Sequence, residues 1–431
     1  MEGVFWVAET PEHRVRGRLD FDEGSVDLFD DELVSWLVTT QHDGYREMTP
    51  RLDNNIEYVI FGELDDGTEV SIHDGIRVPG RQEQGSVQCF RFLCGLRGGH
   101  VALDEQYVGA AVKFAGAWNR YIGNASWIGA LNIPRFGDIE IAFNDGATFA
   151  NVPNLSQLQV ERFIIGPMRL LLSLLAGKRV DPIEILLVTA EGQAVSLLRP
   201  GPVVRQGTSP IVSLRFGLSG LQKWYLAIDK LTPVAAVVVK AITDSTLDVE
   251  TRTFLLAASL EAIHRELHNE LRMTAKEAQA IRRAAVAGVP DEAKDVVRML
   301  LLGMEKLTFD ERLQLSLGRL EPLTDDLAGS EVIEPEGGRQ RWVQSVKAAR
   351  NGVAHMKRTS PEDLRLFASQ NYVLYESLRW VVTALLLSEV GVGVGDITAH
   401  FRVQSAYHLF RERAVVYLPE VYAVDGDAAQ P

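Results

Sequence analysis

Arg350 and His355 stand five residues apart in VKAARNGVAHMKR (346–358), with Asn351 directly after the arginine. Lys347, Lys357 and Arg358 bring the stretch to four basic side chains and one histidine, without an acid. These residue types suit phosphodiester cleavage. An RNA 2′-OH can attack its own neighbouring phosphate, leaving a 2′,3′-cyclic phosphate and a 5′-OH. The attack needs a base that titrates near neutrality, which imidazole supplies. It also needs a cation for the charge growing on the phosphoryl oxygens, and a guanidinium holds that charge with two parallel donors. Asn351 can hold His355 or a phosphate oxygen, and this chemistry calls for no metal or other cofactor. The bland alternative is a solvated, basic helix end.

A helix begun near Arg339 and running through the motif aligns Trp342, Val346, Ala349 and Val353 in one apolar stripe. Asn351 and His355 share another face, about 200° round the helix from that stripe, so His355 is not expected in the core. Arg350 and His355 are separated by roughly 140° on an ideal helix. Long side chains, a distortion at Gly352 or a second copy of the motif must bring them together. One histidine is also ill suited to act as base and acid at once. Both points predict two copies of the motif face to face in a homodimer. Arg402 and His408 satisfy a looser spacing, without the following asparagine.

Three other groupings have mainly structural readings. Glu261, His264 and His268 recur at three and four residues, which could make a two-histidine, one-carboxylate metal site. However, HRELH lacks the glutamate that directly follows the first histidine in a zinc protease helix, so an exposed polar face is expected. Cys89, Cys94 and His100 are spaced unlike a zinc knuckle, and buried strand cysteines are expected instead. GVGVG (391–395) follows a helical pattern and has no P-loop lysine, so it reads as a helix terminator and linker.

The elements that must position the motif are legible from periodicity. VRGRLDF, EYVIFGELDDGTEVSI and DIEIAFNDGATFA alternate apolar and polar residues around Glu-Gly or Asp-Gly turns, predicting antiparallel hairpins over residues 1–154. LSQLQVERFIIGPMRLLLSLLAGK reads as a helix ending at Gly177, and IEILLVTAEGQAVSLLR as a hairpin, so 155–225 continue the module as an α/β segment. From 226 to 431 the chain reads as helical. Leu256, Leu260, Ile263, Leu267 and Leu271 form one stripe. The acidic stretch 325–338 reads as a loop. Ser360, Pro361, Glu362 and Asp363 open another helix with a cap, a first-turn proline and acids at the positive dipole end. Its seam of Leu364, Phe367, Asn371, Leu374, Leu378, Val381 and Leu385 suits either the chain's own core or a second copy. The fold class is therefore α+β, a β-rich N-terminal module followed by an all-α bundle.

RNGVAH, set between an amphipathic helix and a capped one, resembles the catalytic motif of the HEPN superfamily. GVFWVAETPEHRVRGRLDF and YVIFGELDDGTEVSI resemble the N-terminal domain of its ApeA-like members. FLLAASLEAIHREL resembles the opening helix of their HEPN domain. The resemblance implies an endoribonuclease acting as a helical dimer, with Arg350, Asn351 and His355 catalytic and tRNA a candidate substrate. It implies a role in bacterial anti-phage abortive infection, where the N-terminal part senses a phage-derived trigger or restrains the nuclease. It also sets the opening helix beside the motif, which gives Glu261 and His264 supporting roles. Arg265, Lys347, Lys357 and Arg358 then contact RNA. The competing reading is a non-catalytic RNA- or nucleotide-binding scaffold using the same basic face.

Bulk composition narrows the field further. The formal charge of −14 opposes non-specific coating of nucleic acid, so any RNA path is expected to be local. Two cysteines make no disulfide framework, the N-terminal residues lack a signal-peptide pattern, and no apolar run is long enough to cross a bilayer. A cytoplasmic protein without a membrane partner is expected.

Overall fold

The computed structural model describes residues 1–8, 11–29, 57–79, 88–114, 127–143, 146–199, 217–329, 337–354 and 364–422. The chain forms two compact units, Met1–Arg169 with Val180–Thr208, and Leu170–Arg179 with Ser209–Pro431.

The first unit carries the strands. β1 (Glu2–Val7), β2 (Val15–Asp20), β3 (Ser25–Leu28), β4 (Glu57–Leu64), β5 (Glu69–Pro79) and β6 (Gln88–Arg91) pair in the order β4-β1-β2-β3-β6-β5, and β4 also pairs with β5. The ring of six is thereby closed, which leaves no free edge among these strands. Alternate residues point inward, as the period-two pattern requires, so Phe5, Leu19, Val26, Ile60, Ile72 and Phe90 fill the barrel. Phe5 lies opposite Gly62 across β1 and β4, and a Cβ at Gly62 would come within 2.5 Å of the Phe5 ring. The Asp66-Gly67 turn joins β4 to β5 with Gly67 at φ 79°, a conformation that glycine adopts without a steric penalty.

From β5 the sheet continues through β7 (Cys94–Arg97), β13 (Ala194–Leu198), β12 (Pro182–Thr189), β8 (Tyr107–Phe114), β11 (Ala147–Ala150), β10 (Gly137–Phe143) and β9 (Trp127–Ile133). The predicted hairpins of EYVIFGELDDGTEVSI, DIEIAFNDGATFA and IEILLVTAEGQAVSLLR are all present as antiparallel pairs. Cys89 is buried on β6, while Cys94 is half-buried and accepts a hydrogen bond from Gln157 Nε2 at 2.9 Å. His100 Nε2 lies 3.0 Å from the Gly62 carbonyl oxygen. Between β11 and β12 the chain is helical, with a π-turn at Val160–Ile165 leading into α1 (Gly166–Ala176).

The second unit is helical. Its helices are α2 (Gly217–Leu231), α3 (Val234–Thr243), α4 (Val249–Leu267), α5 (Ala275–Ala287), α6 (Lys294–Leu300), α7 (Phe309–Gly318), α8 (Thr324–Ala328), α9 (Gly338–Ala354), α10 (Leu364–Glu389), α11 (Val394–Arg402), α12 (Ser405–Tyr417) and α13 (Pro419–Tyr422). α4 is the central element and packs against α2, α3, α7, α9 and α10. Asp248 caps it by accepting from the Thr251 amide at 2.6 Å. Arg252 then donates to the carbonyls of Ala241 and Ile242 at the end of α3, at 2.7 and 2.9 Å, which satisfies groups a helix leaves without partners.

The seam of α10 turns into the chain's own core. Leu374, Leu378, Val381 and Leu385 are all buried in the single chain, whereas Phe367 is exposed. That part of the seam is therefore an intramolecular surface. Trp342 of α9 is fully buried, and its indole donates to Ser377 Oγ on α10 at 2.7 Å. The stretch read as a loop from 325 begins instead as the end of α8, with Leu327 and Ala328 buried. Two apolar residues in an acidic stretch suffice to dock one helical turn. GVGVG likewise only begins as a terminator, because Val394 already starts α11. Ser360 and its neighbouring capping residues lie outside the described residues. No helix among the described residues is long and apolar enough to cross a membrane.

Candidate functional site

The motif sits at the end of α9. Trp342 and Val346 are buried on its apolar side, as the spacing predicts, and Ala349 is half-buried. Arg350 lies at the margin of the core and Asn351 is exposed. His355, Lys357 and Arg358 lie outside the described residues.

Arg350 is held from two sides. Its Nη2 is 3.0 Å from Glu261 Oε2 on α4, and the guanidinium lies over the Phe309 ring of α7, 4.5 Å from the centroid. The third side is open, because the side chain keeps 31% of its exposure. Glu261 is shared. Its other oxygen, Oε1, accepts from Arg312 Nη1 on α7 at 3.0 Å. One carboxylate thus faces two guanidiniums, and the trio carries one surplus positive charge. Each charge-assisted bond of this kind contributes about 1.5–3 kcal/mol where water is partly excluded. Arg312 is the more buried of the two arginines, at 11% exposure against 31%, so Arg350 is the cation that remains accessible.

Lys347 stands one turn before Arg350, and its Nζ donates to Asp310 Oδ2 at 2.8 Å. The basic surface read from the sequence is therefore partly neutralised by acids from another helix. Neither Phe309, Asp310 nor Arg312 was singled out by the motif, because all three arrive through tertiary packing of α7. A signal for that helix exists nonetheless. Thr308 and Glu311 form a capping box, with each side chain bonded to the other's backbone amide. Glu311 also pairs with Arg272, and these bonds, the Arg272 pair first, hold its carboxyl down to about 2.

His264 corrects the expectation of an exposed polar face. It is 1% exposed, because α4 is enclosed by neighbours on more sides than a single leucine stripe suggests. Its Nε2 is 3.6 Å from Glu270 Oε2 and has no hydrogen-bond partner among the described residues. Its ring lies 5.5 Å from that of His268, whose Nε2 reaches Glu389 Oε1 at 3.1 Å. Burial pushes both histidines below the usual imidazole range, against the pull of Glu270 and Glu389. Arg265 is exposed and pairs with Glu266 at 2.9 Å. No set of three or more candidate metal ligands is gathered among the described residues. Arg402 pairs with Asp326 at 2.9 Å on another side of the bundle, and His408 is exposed.

The arrangement can present a fixed guanidinium at the surface of α9, beside the segment that carries His355. Such a cation suits a phosphate, since only its outward donors remain to be satisfied. No curated protein and no solved structure matches the chain. The family model described as Apea-like HEPN matches residues 254–394. That span runs from α4 through α10 and holds Glu261, Arg312, Arg350 and the whole RNGVAH motif. Over this segment, about a third of its length, the chain is similar to the Apea-like HEPN family.

Proposed function

We propose that this protein is an endoribonuclease that cuts RNA through attack of a 2′-OH on the adjacent phosphate, without needing a metal ion. In this reading His355 takes the 2′-OH proton, Arg350 binds the phosphoryl oxygens, and Asn351 holds the imidazole or a phosphate oxygen. Glu261 and Arg312 keep the Arg350 guanidinium aimed, and His264, one turn further along α4, has a supporting role. Lys347, Lys357, Arg358 and Arg265 follow the RNA backbone. A second copy supplies the imidazole that protonates the leaving 5′-oxygen. The substrate class is tRNA, the setting is anti-phage abortive infection, and the β-rich N-terminal part senses a phage-derived trigger or restrains the site.

One observation carries the proposal. Within the segment matched as HEPN, Arg350 and Arg312 share the single carboxylate of Glu261, which leaves a surplus cation that is accessible and already oriented. The test is incubation of purified protein with total cellular RNA and a chelator, followed by analysis of the new ends. Cyclic phosphate and 5′-OH ends are expected. His355→Ala should abolish cutting while sparing most RNA affinity. Full cutting by that variant, or an absolute need for Arg402 and His408, overturns the assignment.

A second reading is an RNA-binding scaffold without catalysis. It is favoured by the engagement of Arg350 and Lys347 with Glu261 and Asp310, which also suits a purely structural role. It predicts that RNA is bound and never cut.

A further inference from the structure

α5 and α6 form a helical hairpin that packs chiefly on itself. Its root lies beside the supports of Arg350. Arg272, just before α5, donates from Nε and Nη2 to Glu311 of α7 at 3.1 and 2.6 Å. Glu311 belongs to the first turn of α7, which also brings Phe309 against the Arg350 guanidinium. The hairpin therefore springs from the turn that supports the motif's cation.

The two helices share a groove of about 370 Å³. Gln279, Arg282, Arg283 and Val286 line it from α5, at the three-and-four spacing of one helix face, and Lys294 and Arg298 line it from α6, four residues apart. From Ala275 to Leu302 the chain holds five cations, Lys276 and the four in the groove. The same stretch holds four acids, Glu277, Asp291, Glu292 and Asp295, and none of them lines the groove. In a chain of charge −14, that sorting makes a local positive surface.

The four cations are open to a further anion. Arg283 is exposed and has no ion-pair or hydrogen-bond partner among the described residues. Lys294 pairs with Asp291 at 2.5 Å and Arg298 with Asp295 at 2.6 Å, but these two acids are 88% and 89% exposed. Water screens such pairs, so an incoming phosphate competes with them. Arg282 reaches Glu305 only at 3.5 Å. Three guanidiniums suit phosphodiester oxygens, which they meet with paired donors. Among the described residues no aromatic ring lines the groove to stack a base, and Gln279 is its one neutral hydrogen-bonding side chain. The groove is thus built for phosphates rather than for bases.

We propose that the α5–α6 groove is a second RNA-binding site, which holds the phosphodiester backbone through Arg282, Arg283, Lys294 and Arg298 without reading its sequence. The inference rests on the reading above that this chain engages RNA, and it adds an anchor separate from the RNGVAH motif.

The test is binding of a long and a short labelled single-stranded RNA to full-length His355→Ala protein, with and without Arg283→Ala/Arg298→Ala. Both arginines are exposed, so circular dichroism should be unchanged. For the long strand the double variant should raise the dissociation constant about tenfold. It should also make the slope of log affinity against log salt shallower by about 1.4, the share of two phosphate contacts. A strand too short to leave the motif should respond less. Arg16→Ala/Arg18→Ala removes the same charge from β2 and should change little. Unchanged affinity and slope for the long strand, no RNA binding at all, or an equal loss in the β2 variant overturns the proposal. Inorganic tripolyphosphate is the probe for a free phosphate ligand, and tighter binding of it than of RNA through the same two arginines also overturns it. Cleavage is read separately with His355 restored. RNA cut as proposed while the groove variants bind normally sinks this inference alone, and binding through the groove with no new RNA ends sinks only the nuclease.

Discussion

Arg350 is chemically specific because of what surrounds it. A lysine there would keep the charge but lose the planar fork that reaches Glu261 and stacks on Phe309. Arg350→Lys is therefore expected to lower the single-turnover cleavage rate by roughly 10²–10³, close to Arg350→Ala. Glu261→Gln should cost less, because Phe309 still supports the guanidinium. His264 makes a different prediction, concerning stability. Burial lowers its folded pKa below the unfolded value of 6.5, so the unfolded chain binds the proton first as pH falls. Its contribution is complete above about 6.5 and is lost as pH drops through the depressed folded value. Glu270, His268, Arg319 and Arg312 act on it as well. Denaturant unfolding at pH 7.5 and 5.5 should show a loss at the lower pH, and His264→Gln should shrink that loss.

At the scale of elements, the site depends on α7 being anchored at its first turn. Thr308 caps it, and the next residues deliver Phe309, Asp310 and Arg312 to α4 and α9. Thr308→Ala should cost about 1 kcal/mol of stability, measured by denaturant unfolding. If α7 positions Arg350, cleavage should fall by more than that loss explains. α10 is held by burial rather than by caps. Leu378 is 0% exposed, and Leu378→Ala should cost about 2–5 kcal/mol in the same measurement. α4, α9 and α10 were legible from their three-and-four spacing. Their neighbours were not, because periodicity marks a buried face without naming the helix that buries it. The full enclosure of α4 was missed for the same reason, and with it the burial of His264.

For the whole molecule, the proposed function sets a charge of −14 beside an anionic substrate. Only a local contact is compatible with that, so the salt dependence of RNA binding should be shallow. If Lys347, Arg350, Lys357 and Arg358 each meet one phosphate, the slope of log affinity against log salt is roughly −3 for single-stranded RNA. A much steeper slope would mean a wider basic track. The helical unit also recruits residues from outside its continuous stretch, since Leu170–Arg179 cluster with it. A fragment begun at residue 226 further removes Leu221, Trp224 and Tyr225, which are buried in α2. It should melt lower than the intact chain or fail to stay monodisperse.

Several hairpins with their turns, several helices and the chemical character of the motif were readable along the chain, because alternation, turn chemistry and residue type are local properties. The closure of six strands into a barrel was not readable, since β4 pairs with β5 and also with β1, across more than fifty residues. Nor was the partner of Arg350. Glu261 lies almost ninety residues away and arrives only because α4 and α9 pack side by side. Local periodicity tells which residues seek burial, while the pairing of distant charges depends on which surfaces meet once that burial is complete.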